Sequence, residues 1–288
     1  MPCPRVAALF DAILLPMKTL LICHEHATLN RNGLPRWLAS FSDLAGIVVL
    51  RDSQRRMWRQ LRREIKRVGF IRFLDVAAFR VYYRFFLSKS DQLWETKKLG
   101  WLQSVYTAIP AGIPVFYTTN PNTPETEEFI RRVSPDIMIA RCKMLLKEKI
   151  FTIPTHGTFV MHPGICPEYR NSHGCFWALV NGELNNVGMT LLRIDKGIDS
   201  GPVYGYYTYE FDERSESHVV IQQRVVFENL NALKCKLLDI YAGSAIPIDT
   251  SGRRSAMWGA PWLTAHLWWK WKARQRSKCK SFRSITTT

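Results

Sequence analysis

The sequence predicts an α/β fold, an open and mainly parallel twisted sheet with helices on both faces. Three observations carry that expectation. Short apolar runs recur at 18–23, 45–51, 114–118, 136–140 and 157–162. Segments with helical spacing or helix-start residues lie between them, and strands that alternate with helices are joined by crossovers that lay them parallel. The composition, 47% hydrophobic and 22% charged over 288 residues, suits a chain that buries a sizeable core.

Residues 1–16 are read as an N-terminal extension. RVAALFDAILLP (5–16) is apolar enough to suggest a signal sequence, yet its basic flank is Arg5 alone, Asp11 interrupts it, and no small-residue cleavage site follows. Met17 precedes KTLLIC, the first strand of an α/β domain spanning 17–211. No apolar run reaches the ~18 residues that cross a bilayer. Seven cysteines (3, 23, 142, 166, 175, 235, 279) show no CxxC pair, which fits a reducing, cytoplasmic setting better than a disulfide framework. His24 and His26 share one face of a strand end, but no third ligand stands at a recognisable spacing, so they are read as capping the first strand beside a ligand cleft and no metal is assigned.

Leu38, Phe41 and Leu44 have helical spacing. PETEEFIRRV (124–133) carries the Pro and acids that a helix start favours, and CKMLLKEKI (142–150) reads as the next helix. FWALVNG resumes a helix, and VGMTLLRI (187–194) and PVYGYYTYEF (202–211) read as adjacent strands. Residues 215–243 read as one long amphipathic helix stopped by Gly243, within a segment, 212–256, that packs on the domain. Two regions stand outside this rhythm: a helical insertion over 52–106, and a Trp-rich basic tail over 257–288 that is expected to be disordered.

The charge is uneven. Residues 51–89 hold twelve Lys/Arg against three acids and residues 270–283 hold seven against none, so these two segments contain the whole formal charge of +16. Three readings suit them: solvated faces of packed helices, an interfacial anchor on an anionic membrane with indoles beside cations, or phosphate contacts to RNA. Only 45 residues follow Gly243, too few for an added RNA-binding domain, so nucleic acid is not expected and peripheral contact with the inner face of a membrane is the functional alternative.

The densest chemical signal is GTFVMHPGICPEYRNSHG (157–174), followed by RIDKGIDSGPV (193–203). His162 ends a strand and Pro163-Gly164 breaks it, which puts an imidazole at the carboxyl end of a parallel strand, where open α/β sheets bind ligands. Asp195 and Asp199 sit in a Gly-rich turn between strands.

In order and spacing, His162-Pro163, Pro167, Tyr169-Arg170, Asn181-Gly182, Gly188, Thr190 and Asp195-Lys196-Gly197-Ile198-Asp199-Ser200-Gly201 resemble the 10-formyltetrahydrofolate-dependent formyltransferases. That family includes the glycinamide ribonucleotide, methionyl-tRNA and sugar-nucleotide enzymes. The likeness is specific over about 135–211 and looser back to 17. It implies that His162 and Asp199 are catalytic and that 10-formyltetrahydrofolate is the cosubstrate. It further implies that the backbone of Arg141–Leu146, with Met144, Leu145 and Leu146, and the loop Asp195–Asp199, with Asp195, Lys196 and Gly197, hold the pterin. One departure stands out: the family's Asn two residues before the His is here Val160. That amide would donate to the tetrahedral oxyanion, and losing such a donor typically costs about 10²–10³ in rate. Thr158 lies further back on the same strand face, and Asn171 or His173 are better placed to replace it. Three functions fit: formyl transfer to an amine of a small or lipid-linked molecule such as an amino sugar, hydrolysis of formyltetrahydrofolate, or silent folate binding.

Overall fold

The computed structural model describes residues 16–52 and 65–285, with side chains to residue 276 in the last helix. The expected N-terminal extension, apart from Pro16, and the basic stretch 53–64 lie outside the described residues. Seven strands form one sheet: β1 (Lys18–His24), β2 (Asp43–Leu50), β3 (Val115–Thr118), β4 (Ile137–Arg141), β5 (Gly157–His162), β7 (Met189–Arg193) and β8 (Val203–Tyr207). Two short strands, β6 (Arg170–Asn171) and β9 (Met257–Trp258), pair separately. The sheet order is β3-β2-β1-β4-β5-β7-β8, parallel through β5, with β7 and β8 antiparallel.

The strands read as continuous apolar runs because both faces of the sheet are covered. In β1, Leu21 and Cys23 enter one core cluster while Leu20 and Ile22 enter the other. The larger cluster lies under α1 (Leu34–Ala39), α6 (Gly174–Asn181), α7 (His218–Phe227), α8 (Leu230–Tyr241) and α9 (Leu263–Ile285). The smaller is closed by α4 (Pro124–Val133) and the single turn α5 (Glu148–Phe151), through Phe129, Ile130, Ile150 and Phe151. The insertion between β2 and β3 is helical, with α2 (Phe70–Tyr82), a wide turn at Tyr83–Leu87, and α3 (Ser88–Val105). Helix α4 starts where its sequence says it should: Thr123 accepts from the Thr126 amide, Pro124 opens the first turn, and Arg131 and Arg132 sit at the negative end of the dipole.

Three expectations need correction. CKMLLKEKI is not a full helix, because residues 142–147 are a loop. Its backbone is drawn outward: the Lys143 amide donates to His24 Nε2 at 3.1 Å, the Lys147 amide to Asn122 Oδ1 at 2.7 Å, and Asn122 Nδ2 donates to the Leu145 carbonyl. The helix expected over 215–243 is two, α7 and α8, parted where Asn229 Nδ2 donates to the carbonyls of Val225 and Thr208. The tail over 257–288 is not disordered where it is described. Ala265, His266, Trp269 and Ala273 fall on one face of α9 and are buried, Trp269 completely. The high Lys/Arg content misled because an amphipathic helix carries such residues beside a buried face, and Lys270 and Arg276 themselves bond to Glu213 and its neighbours.

Candidate active site

The carboxyl edge of the sheet gathers the predicted chemistry. His24 ends β1, Arg141 ends β4 and His162 ends β5. The order reverses between β1 and β4, the point at which doubly wound sheets open a crevice. Arg141 Nη1 donates to the Met161 carbonyl and Nε to Asn30 Oδ1, so this guanidinium ties β4 to β5. Burial pushes it down to about 10.

His162 is 4% exposed, and both its ring nitrogens face acceptors. Nε2 lies 2.7 Å from the Tyr169 carbonyl, and Nδ1 lies 3.4 Å from Asp199 Oδ2. A neutral imidazole has one N–H and satisfies one of these acceptors, whereas an imidazolium satisfies both. Asp199 reaches His162 because the loop after β7 folds back over the strand face. It leaves the sheet at the level of Thr158, where the Ile194 amide donates to the Thr158 carbonyl. Asp195 shapes that loop by accepting from the Gly197 amide and Ser200 Oγ, each at 2.9 Å. A side chain at Gly201 would collide with the Arg193 carbonyl, so glycine is required there. Asp199 takes a left-handed backbone, φ 47°, and Oδ2 accepts the Asn171 amide at 2.8 Å.

The turn after His162 is equally fixed. Thr190 pairs with His162 across β5 and β7, donates to the Gly164 carbonyl at 2.6 Å, and accepts the Cys166 amide at 2.9 Å. Gly164 and Gly174 nearly touch, and a methyl on Gly164 would lie 2.9 Å from His162 Nε2. Sequence reasoning missed the clasp behind this loop. Arg253 pairs bidentately with Glu168 at 2.7 and 2.8 Å, and Trp258 Nε1 donates to the Glu168 carbonyl at 2.9 Å. The Trp258 ring stacks on Tyr169 and Trp177. The tryptophans of 257–288 were a visible signal for it, but the composition of that segment pointed elsewhere.

The predicted pterin residues divide. Leu146 is part of the smaller core cluster, while Leu145 is 65% exposed. Met144, Val160 and Ile194 are partly buried against the same cluster, giving an apolar floor beside His162 and Asp199. The Asp195 carboxylate and the Gly197 amide hold their own turn, and Lys196 pairs with Glu148 at 3.1 Å across the two loops.

None of the substitutes for the missing donor is turned to this site. Thr158 Oγ1 donates to the Phe151 carbonyl, and Asn171 Nδ2 to the Trp258 carbonyl at 2.6 Å. His173 lies against the buried His218 ring, and burial pushes it down to about 3. At the end of β1 the structure brings Asp52 to His26, at 3.2 Å, beside His24, a grouping of three that sequence spacing did not reveal. His24 Nε2 already accepts the Lys143 amide, so a neutral ring has its proton on Nδ1 and offers a metal no lone pair beyond one already engaged.

The formyl transferase family model matches residues 94–236, which include His162 and Asp199. A methionyl-tRNA formyltransferase of Thermotoga neapolitana is 32% identical over 130 residues, 43% of this chain and 41% of that protein. The bifunctional polymyxin resistance protein ArnA of Wigglesworthia glossinidia brevipalpis is 35% identical over 106 residues, 36% of this chain and 16% of that protein. The match thus spans less than half the length of either relative. The phosphoribosylglycinamide formyltransferase of Anaplasma phagocytophilum superposes with a TM-score of 0.52 at 12% identity, covering 84% of this chain and 98% of that one, a likeness of fold. Residues 94–236 therefore match the formyl transferase family, and over most of its length the chain has a formyltransferase-like fold.

Proposed function

We propose that the chain transfers a formyl group from 10-formyltetrahydrofolate to an amine of a small-molecule or lipid-linked acceptor, such as an amino sugar. The observation that supports this most directly is the His162–Asp199 pair, closed from behind by Tyr169 and Asn171 and set beside an apolar floor. Met144, Val160 and Ile194 suit a flat heteroaromatic ring, and the loops at 141–147 and 194–199 offer backbone groups at its edge.

In this reading His162 acts as the imidazolium. Tyr169 fixes Nε2, and the 3.4 Å contact at Nδ1 is longer than the ~2.7–2.9 Å of a charge-assisted hydrogen bond. Nδ1–H is therefore the donor left for the oxyanion that develops on the formyl oxygen, and such contacts tighten when substrate binds. Asp199 balances the ring charge and accepts, through a water, the proton that the attacking amine sheds. The amine nitrogen bonds to the formyl carbon, the bond to N10 of the folate breaks, and the proton ends on N10. The products are a formamide and tetrahydrofolate.

Val160 favours one alternative, a silent folate binder, because a site short of a donor stabilises the oxyanion less; hydrolysis, with water as the acceptor, is the other. Incubating the protein with 10-formyltetrahydrofolate, with and without amines, and following tetrahydrofolate release separates them. Release that requires an amine supports the transferase. Release in water alone makes the protein a hydrolase, and tight binding without release makes it silent.

A further inference from the structure

Helix α2 is apolar on two opposite sides. Its inner face buries Val76 and Phe79 against α6, α7 and α9. Its outer face should carry charge, as surface helices do. Instead Ile71, Leu74, Val81 and Phe85 are each between 52% and 86% exposed. At 100° per residue Ile71, Leu74 and Val81 project within one arc of α2, away from Val76 and Phe79, and Phe85 follows in the wide turn after it. Arg84, also exposed, borders that arc, while Arg80 projects nearer Val76.

Helix α9 lies against α2, joined by the Thr264 amide to Asp75 Oδ1 at 3.1 Å and by His266 against Phe79 and Tyr82. It repeats the pattern. Ala265, His266 and Trp269 face the core, while Leu267, Trp268 and Trp271 are about half exposed. Trp268 and Trp271 stack at 5.1 Å, and the Lys272 ammonium lies 4.7 Å over the Trp268 ring. Cations dominate both helices. Residues 65–89 hold six Lys/Arg and one acid, Asp75, which is bonded to Thr264; residues 270–276 hold four Lys/Arg and no acid, of which Lys270 and Arg276 are engaged at Glu213 and its neighbours while Lys272 lies over Trp268.

We propose that the outer faces of α2 and α9 form a docking surface for an anionic lipid bilayer. Exposed Phe, Ile and Leu enter the acyl boundary, the stacked indoles sit at headgroup level, and the arginines and lysines meet lipid phosphates. The charge selects this occupant over a second copy of the chain, since two such faces would bring like charges together. It also gives a lipid-linked acceptor a reason to be reached, a corollary that rests on the formyl-transfer reading.

The test is sedimentation of the full chain with phosphatidylcholine vesicles, with and without phosphatidylserine, at low and high salt. Binding is expected to anionic vesicles only and to weaken as salt rises. A triple variant, Ile71→Ser with Leu74→Ser and Phe85→Ser, keeps every charge and should lower the partition coefficient by about tenfold or more. Its melting temperature and its tetrahydrofolate release in solution should stay as in the wild type, because these side chains touch neither the core nor the site. A double variant, Trp268→Ser with Trp271→Ser, gives an independent second reading of the same surface. Failure of the wild type to sediment, or equal binding by both variants and the wild type, overturns the proposal. So does a concentration-dependent dimer that the triple variant abolishes, which would assign the face to a second copy. Formyl transfer is read separately, so either idea can fail alone.

Discussion

The loops around His162 and the paired helices α2 and α9 make opposite use of polar residues. Around His162 the side chains and amides bond to one another: Tyr169 to the imidazole, Asn171 to Asp199, Asp195 to its own turn, Thr190 to Gly164 and Cys166. Little there can move without breaking a bond. Along α2 and α9, by contrast, cations such as Lys272 lie beside apolar side chains that are about half or more exposed among the described residues. A site that must position reacting atoms is closed by its own hydrogen bonds, whereas a surface that waits for a partner is left open.

The sharpest way to break that comparison is to remove the pair at its centre. His162→Ala and Asp199→Asn are each expected to lower formyl transfer by about 10²–10⁴-fold, the usual worth of a positioned acid–base group. Asn is the right replacement at 199 because it tolerates the left-handed backbone that Asp199 adopts. Steady-state rates beside thermal melts check this, and near wild-type turnover in either variant removes the site assignment.

On α9 the inner and outer tryptophans should part company. Trp269 is fully buried against Phe176 and His266, so Trp269→Ala should cost about 3–5 kcal/mol in urea denaturation. Trp268→Ala, half exposed, should stay within about 0.5 kcal/mol. Equal losses would mean that the outer face is also covered.

That difference marks what the sequence could show. The strands were legible to within one or two residues over β1 to β5, because buried parallel strands are short apolar runs between turn signals. That His162 and Asp199 come together was expected from the resemblance their two motifs carry jointly, since a strand-end His or an Asp in a Gly-rich turn says little alone. The clasp of Arg253 and Trp258 on the catalytic loop was not, because its contacts join residues about ninety positions apart. Nor was the order in α9: alternate indoles face inward and outward, and composition does not distinguish the two.

A pH titration sharpens the comparison at the seam between the two regions. His173, His218 and His266 are all pushed down by burial, His173 to about 3 and His266 to about 4. In the unfolded chain they protonate near 6.5, so below that pH the unfolded state binds more protons and stability falls as pH drops. The loss continues down to the folded-state values. Each histidine adds a slope of about 1.4 kcal/mol per pH unit within its window. Asp91, raised by burial beside Tyr83, Ser217 and Lys270, opposes this only toward the acid end. His266 sits among Phe79, Tyr82 and Trp269, so His266→Phe should fit and flatten the acid slope by about one proton. An unchanged slope in urea titrations at pH 5 and 7 would show that His266 is not one of the groups titrating.

The smallest expected effect concerns Val160, where the closed site has its one gap. Val160 lies two positions before His162 on the same strand face, half-buried beside Ile194. Thr158, Asn171 and His173 are committed elsewhere, so Val160→Asn would add an amide that none of these three supplies. The gain should stay below the 10²–10³ that removing a native donor costs, since the pocket has packed around an apolar side chain; a rise in kcat of up to about tenfold is expected. KM should change less than kcat, because the new bond forms to charge that develops only in the transition state. Rates and a melting curve on one preparation decide it. A clear loss of activity at an unchanged melting temperature would mean that another group already occupies the oxyanion position, and that His162 does not work alone.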